Sequence, residues 1–242
     1  SMQADVPINI EFIGFDTGDV DIDSKGSVFI NSSIQNSSGT TSITSRDGSI
    51  TAINNGAVIN GEDIILDAQT GIHGSFIQTN LTDSGSGAVK ATSVTGDISI
   101  KETSDELRVD TISTSGNVTL ESLTNIVLMD GVDGGAGTGG VTGNFISLNA
   151  IGGTIGTQTT SFDINTGTEL VSGLRAYANG IVNIFETDGD LNLEQIRTGT
   201  TSDVILKVDG SLNDANDFSI KDDRSEGELL ALYDKMRSVG SQ

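Results

Sequence analysis

The chain has 242 residues, with 34 acidic against 12 basic side chains, a formal net charge of −22 and no cysteine. The lack of cysteine excludes disulfides, thiolate zinc sites and a cysteine nucleophile, and the negative charge would repel nucleic acid or an anionic bilayer. Thirty-one glycines stand against eight phenylalanines, two tyrosines and no tryptophan. We therefore expect a core of many small layers of Ile, Val and Leu, because large aromatic rings usually anchor a compact core.

Short strand signals follow one another along the chain. We interpret residues 1–14 as a cloning scar, Ser1-Met2, and an entry segment. After this segment, a five-residue phrase recurs: Gly, a small polar residue, then two aliphatic residues with one residue between them. Examples are "GDVDI" at 18, "GSVFI" at 26, "GDISI" at 96, "GNVTL" at 116 and "GDLNL" at 189. Side chains two apart in a strand share a face, so Val20 and Ile22 are predicted to point inward and the flanking aspartates outward.

Two longer phrases occur twice. The segment "GDISIKETSDELRVDTISTSGNVTL" from Gly96 matches "GIVNIFETDGDLNLEQIRTGTTSDVIL" from Gly180, an offset of 180 − 96 = 84. Similarly, "GEDIILDAQTGIHG" from Gly61 matches "GNFISLNAIGGTIG" from Gly143, an offset of 143 − 61 = 82. Four turns of about 21 residues would fill the longer offset, which is the range of one coil of a solenoid. Repeated phrases would then occupy equivalent positions on successive coils.

The predicted fold is therefore all-β, a right-handed parallel β-helix (β-solenoid) over residues 15–222, since parallel crossovers favour that hand. Two stretches depart from it. Residues 129–143, "MDGVDGGAGTGGVTG", are too rich in glycine to pack and are predicted to leave the coil as a loop. In the segment 223–242, residues 225–238 show helical spacing and are predicted to form an amphipathic capping helix with an apolar face of Leu229, Leu232, Tyr233 and Met236.

Few titratable groups suggest catalysis. The chain has one histidine, His73 in "GIHG", and its counterpart in the repeated "GTIG" is Ile155, so we interpret His73 as structural. No Ser-His-Asp order or HExxH spacing is available. The sequence predicts no catalytic, cofactor-binding or metal-binding residues. A polysaccharide lyase or hydrolase on the same coil is the alternative, and it would need grouped acids, bases and aromatic residues in a groove.

Clustered acids raise the question of calcium, which takes six to eight oxygen ligands. "DVDID" at 19–23 places three aspartates on one strand face, and "ETDGD" at 186–190 collects three acids around a turn. Neither has the spacing of an EF-hand loop. We predict no cofactor and leave calcium as the alternative. Four glycosylation sequons carry little weight because about four are expected by chance in a chain this rich in Asn, Ser and Thr; they begin at Asn31, Asn36, Asn80 and Asn117.

The repeated "GDISI", "GNVTL" and "ETDGDLNL" phrases and the "LNAIGGTIGT" turn resemble large bacterial exoproteins of the filamentous haemagglutinin type, the secreted partners of two-partner secretion systems. The resemblance covers residues 15–215. It implies a secreted or cell-surface location and a role in adhesion to a host or bacterial surface glycan or protein. We therefore expect a non-catalytic adhesin segment, monomeric as a fragment and not inserted in a membrane. A purely structural spacer is the third possibility.

Overall fold

All of the regular structure in the part of the chain described by the computed structural model is β-strand. The description covers residues 2–11, 13–15, 18–82, 86–129, 140–167, 172–199 and 201–215. The predicted capping helix at 225–238 therefore lies outside the described residues. Alternating Ile, Val and Leu with small polar residues, bounded by Gly, Asn and Asp turns, is the pattern that forms short strands buried on one face.

The strands belong to two parallel sheets. Sheet A consists of β1 (Met2–Ala4), β4 (Val20–Ser24), β7 (Thr40–Ser45), β10 (Asp63–Ala68), β12 (Val89–Ser93), β14 (Leu107–Ser113), β16 (Ile126–Leu128), β17 (Gly140–Gly143), β19 (Phe162–Thr166), β21 (Val182–Glu186) and β23 (Val204–Val208). Sheet B consists of β2 (Ile8–Ile10), β3 (Ile13–Phe15), β5 (Val28–Ile30), β6 (Ile34–Asn36), β8 (Ile50–Ala52), β9 (Val58–Gly61), β11 (Ile72–Leu81), β13 (Ile98–Glu102), β15 (Val118–Ser122), β18 (Phe145–Ala150), β20 (Gly173–Ala178), β22 (Leu191–Arg197) and β24 (Leu212–Asp214).

The chain winds between the two sheets as a parallel β-solenoid, which confirms the all-β parallel β-helix predicted from the sequence. From β4 to β22 most strands pair with one strand about one coil earlier and another about one coil later, and the chain passes through the opposite sheet between them. Pairing extends to the first described residues, because β1 pairs with β4 and β2 pairs with β5. A short third row, β3, β6 and β9, joins sheet B through the second half of β11.

The coil length varies around the predicted 21 residues. Val20 pairs with Thr41, which is 21 residues further on. Ile98 pairs with Val118 after 20 residues, whereas Val118 pairs with Ile146 after 28. These three pairs of strands keep their register because the extra residues lie in the connections between the strands.

Inward side chains stack into ladders along the axis. Val20 and Ile22 are buried and Asp21 is exposed, as the alternation predicted. One ladder, in which each residue pairs with the next, has the buried members Ile22, Ile43, Leu66, Ala91, Ile112, Val141 and Ile164. Each coil therefore covers the apolar face of its neighbour, which is the way a solenoid builds a continuous core from small units.

The repeated phrases do not occupy equivalent positions, in contrast to the expectation from their offsets. The first copy places its "ISIKE" strand, β13, in sheet B, whereas the second places the matching "VNIFE" strand, β21, in sheet A. The second pair of phrases differs in the same way, with β10 in sheet A and β18 in sheet B. The offset therefore corresponds to a whole number of coils plus about half a coil.

The predicted loop at 129–143 is shorter than expected. Its last four residues, Gly140–Gly143, form β17, which pairs with β14 on one side and with β19 on the other. Residues 130–139 lie outside the described residues. Gly140 fits this strand because its φ of 111° and the backbone carbonyl of Asp163, 2.6 Å from where a Cβ would stand, leave no room for a side chain.

Candidate functional site

His73 lies on β11 of sheet B and is half-buried, paired with Thr51 of the preceding coil. Its supposed counterpart Ile155 is fully buried and forms isolated β-bridges with Ile126 and Val182, which belong to strands of sheet A. The two positions are therefore not equivalent, because the residue before His73, Ile72, is the one that points inward. The match between His73 and Ile155 therefore does not support the interpretation of His73 as structural.

The aspartates of "DVDID" point outward, and two of them bind the following coil. Asp19 Oδ1 accepts a hydrogen bond of 2.9 Å from the backbone N–H of Thr40. Asp23 forms an ion pair with Arg46. These carboxylates therefore have structural partners, and they lie on successive outward positions of one strand instead of converging on a point.

The polar residue after several of the strand-starting glycines has a role that sequence reasoning missed. Asp97 Oδ1 accepts a hydrogen bond of 2.8 Å from the N–H of Asn117, and Asn117 Oδ1 accepts one of 3.2 Å from the N–H of Phe145. Asp190 Oδ1 accepts from the N–H of Ser211 at 2.6 Å. The second residue of the "Gly-Asp" or "Gly-Asn" signal thus satisfies a backbone donor at the start of the next coil. Its recurrence in the sequence is the signal that predicts this role.

The first copy of the repeated Glu-Thr pair contains a buried carboxyl group. Glu102 is fully buried, and its Oε2 accepts a hydrogen bond of 2.9 Å from the hydroxyl of Thr79 in the preceding coil. Its Oε1 accepts from the N–H groups of Thr103 and Ser104. Burial raises the pKa of Glu102 to about 7, although the hydrogen bonds from Thr79, Ser104, Leu81 and Thr103 act in the opposite direction.

The second copy repeats this arrangement in the other sheet. Glu186 is fully buried at the position where it extends the apolar ladder beyond Ile164. Its carboxylate accepts hydrogen bonds from the N–H of Thr166 at 3.0 Å and from the Thr166 hydroxyl at 3.0 Å. Burial raises the pKa of Glu186 to about 7, and the nearby charge of Asp188 adds to this effect, while hydrogen bonds from Thr166 and Asp188 lower it.

The three acids of "ETDGD" do not converge on one point. Glu186 points into the core toward Thr166 of the preceding coil, whereas Asp190 points to Ser211 of the following coil and Asp188 is exposed at the turn. Among the described residues, no group of three or more His, Asp or Glu side chains is arranged to hold a metal ion.

The asparagines of the four sequons lie in different environments. Asn36 is buried, and its amide donates to Thr41 Oγ1 at 3.2 Å. Asn31 and Asn80 are half-buried, and Asn117 is exposed. Only the Asn117 side chain is largely open to solvent, and its Oδ1 is already used by Phe145 N–H.

The outer surface of sheet B brings together side chains that the sequence separates by 20 to 28 residues. Lys101 pairs in register with Glu121, Glu121 with Asn149, Asn149 with Tyr177, and Tyr177 with Arg197. Lys101 forms an ion pair of 2.5 Å with Glu121, whose Oε2 accepts from Asn149 Nδ2 at 3.1 Å. We call these five residues the lower row.

A second line of outward residues lies two positions earlier on the same strands, and we call it the upper row. It consists of Ser99, Thr119, Ser147, Arg175 and Gln195, again paired in register. The Arg175 guanidinium lies 5.9 Å from the ring centroid of Phe145 and forms an ion pair with Glu194. Phe145 faces Gly173 on the next strand, which leaves room beside its ring.

Two open clefts lie along these rows. The first, of about 440 Å³, is lined by Asp97, Ser99, Asn117, Thr119, Asn144, Phe145, Ser147 and Arg175. The second, of about 380 Å³, is lined by Ser147, Leu148, Asn149, Ile151, Arg175, Ala176, Tyr177, Gln195 and Arg197. They share Ser147 and Arg175. This surface is the candidate binding face, because it combines concavity with exposed arginine, aromatic and amide groups.

No family model, no curated protein and no solved structure matches this chain. A search of the described residues for a helix long and apolar enough to span a membrane finds none.

Proposed function

We propose that this chain is a non-catalytic β-solenoid segment of a secreted or surface-exposed bacterial adhesin, acting as a binding face, a rigid spacer or both in cell or matrix attachment. The observation that carries the proposal is that inward and outward side chains of each strand have different roles. Inward residues stack into ladders, and outward residues of sheet B form two continuous rows over five strands. Such a coil can present a long lateral surface to a glycan or protein on another cell.

The environments of the two buried glutamates also favour a structural role for them. Their raised pKa values are of the kind found in catalytic acids, but each carboxyl group is fully buried and bound to backbone N–H and threonine hydroxyl groups. A substrate could reach neither of them without opening the coil. The enzyme alternative would therefore have to use outward groups such as those of the two clefts.

Attachment of protein-coated beads to host and bacterial cells tests the adhesin proposal. The glycine-rich segment 130–139 is predicted from the sequence to be a loop that departs from the repeat, so it is a second candidate contact beside the rows. We expect beads with the intact chain to attach, and beads with residues 130–139 replaced by a short turn to attach less while the protein stays folded. The replacement keeps β17, whose pairing the coil needs. Lys25→Gln, in an exposed turn far from the two rows, is the matched control.

The three functional candidates predict different results. A spacer without a binding face predicts no attachment by any of the proteins. An adhesin that binds only through its rows predicts attachment that survives the loop replacement. Turnover of a polysaccharide by the purified chain, abolished by one Asp or Lys substitution, would contradict the non-catalytic proposal.

A further inference from the structure

The two clefts form one groove that runs along the axis of the solenoid. Its lining residues come from β13, β15, β18, β20 and β22, which are successive strands of sheet B, and from the residues next to them. Neighbouring strands lie about 4.8 Å apart, so five strands span roughly 19 Å. The groove is therefore long enough for a short linear oligomer and is open along its length.

The lining offers the groups that bind a sugar. Hydroxyl and amide side chains of Ser99, Thr119, Ser147 and Asn149 can donate and accept hydrogen bonds to sugar hydroxyls. Tyr177 is 39% exposed, which is a large fraction for one of the few aromatic residues of the chain. An exposed ring of this kind provides a flat apolar surface with a polar tip, suited to the C–H face of a sugar ring.

The charge of the second cleft is opposite to that of the whole protein. Its lining contains Arg175 and Arg197 and no acidic residue, in a chain of net charge −22. The Arg175 side chain is 51% exposed although it pairs with Glu194. Arg197 is exposed and takes part in none of the ion pairs found among the described residues. A planar guanidinium can bind a carboxylate through two parallel hydrogen bonds.

We infer that this groove binds a short acidic oligosaccharide, with a sugar carboxylate on Arg197 and Arg175 and a sugar ring against Tyr177. The inference rests on the proposed adhesive function and names the class of its ligand.

The size of the cationic patch explains why an oligosaccharide fits and a long polyanion does not. At physiological salt, electrostatic attraction decays over about 8 Å, so a carboxylate in the second cleft experiences chiefly Arg197 and Arg175, and Glu194 offsets part of the charge of Arg175. A nucleic acid duplex would extend over the surrounding acidic surface and be repelled. The ligand therefore has to be short or to carry its charges far apart.

Isothermal titration of the full chain with uronic acid tetrasaccharides tests the inference. The probes are tetragalacturonate, tetraguluronate, tetramannuronate and a hyaluronan tetrasaccharide, and the methyl ester of tetragalacturonate is the neutral matched ligand. We expect at least one acidic probe to bind. For tetragalacturonate, if it binds, we expect the ester to bind at least about tenfold more weakly because it lacks the charge-assisted hydrogen bonds.

Variants then assign the binding to the groove. Arg197→Gln and Tyr177→Ala are each expected to weaken binding by about tenfold. Lys25→Gln, which also removes one positive charge, is expected to bind as the parent does. The far-ultraviolet dichroism of each variant should match that of the parent, because all three substituted side chains are exposed.

Two results would overturn the inference: no heat of binding with any acidic probe at millimolar concentration, or binding that Arg197→Gln and Tyr177→Ala leave unchanged. The bead assay separates this failure from that of the adhesin proposal. Attachment that persists in both groove variants supports an adhesin with a different ligand site. Uronate binding without any attachment supports the groove and contradicts adhesion.

Discussion

The two copies of the long repeated phrase make the same local hydrogen bonds in opposite sheets. Thr103 donates through its N–H at 3.0 Å and its hydroxyl at 2.8 Å to the carbonyl of Thr79. Thr187 donates in the same two ways, at 2.9 Å and 3.0 Å, to the carbonyl of Ile164. The glutamate before each threonine is buried. The repeat therefore encodes a strand end and the turn that ties it to the preceding coil, and it does not encode a position around the coil.

The copies differ in how deeply they are covered. Ile112 of the first copy is fully buried, whereas its match in the second copy, Ile196, is only half-buried. The reason is their place in the stack. β14 has strands on both sides that pair with it, while β22 is followed in its sheet by β24 alone, whose residues are exposed. Matching positions of the two copies therefore differ in burial, because the second copy lies near the end of the described coils.

The largest effect of a single substitution is expected at Ile112, and the matching substitution at Ile196 tests the difference in burial. Ile112→Ala should lower the free energy of unfolding by about 4 kcal/mol, because it removes buried methyl groups and leaves a cavity. Ile196→Ala should lower it by only about 1 kcal/mol, because that site is already partly solvated. Urea denaturation of the two variants measures both values. Equal losses would show that position in the stack does not control burial energy.

The buried glutamates should make stability depend on pH. Their folded pKa of about 7 lies above the ordinary value of 4.5, so folding favours the protonated form. The stability that they contribute is fully present below pH 4.5 and is lost as the pH rises through 7. The change is on the order of 3 kcal/mol for each group. The urea concentration at the midpoint of unfolding should therefore decrease as the pH is raised from 5 to 8.

Single variants separate the two copies. Glu102→Gln and Glu186→Gln should each reduce that fall, because glutamine does not titrate and its amide can still hydrogen-bond to the turn and to Thr79 or Thr166. Asp67→Asn, at an exposed strand position, is the control that should leave the pH dependence unchanged. A parent-like pH dependence in both glutamine variants would contradict the role of the glutamates.

The smallest expected effect concerns the glycines that begin the two copies. Gly96 has a φ of 80°, and a Cβ there would lie 2.3 Å from the carbonyl oxygen of Thr70. Gly96→Ala should therefore destabilise by about 2 kcal/mol. Gly180 is not in the left-handed region, and its Cβ would first meet the Thr154 side chain at 2.8 Å. We expect about 1 kcal/mol for Gly180→Ala, and thermal melting of the pair tests the order.

The sequence by itself determined the fold class and much of the local structure. Alternation of apolar and small polar residues predicted the inward positions of Val20 and Ile22, and the spacing of the phrases predicted coils of about 21 residues. Local geometry explains this success, because a strand always points alternate side chains to opposite faces and glycine permits the turns between strands.

Only the tertiary structure decided which sheet each copy enters and which outward residues become neighbours. The two inward faces are similarly apolar, so nothing in a phrase such as "GDISI" selects sheet A or sheet B. The lengths of the connections before it make that choice. For the same reason Tyr177 and Arg197 could not be placed side by side from the sequence. Their pairing depends on a register shift within β22, between the partners of Leu174 and Arg175, which no local pattern marks.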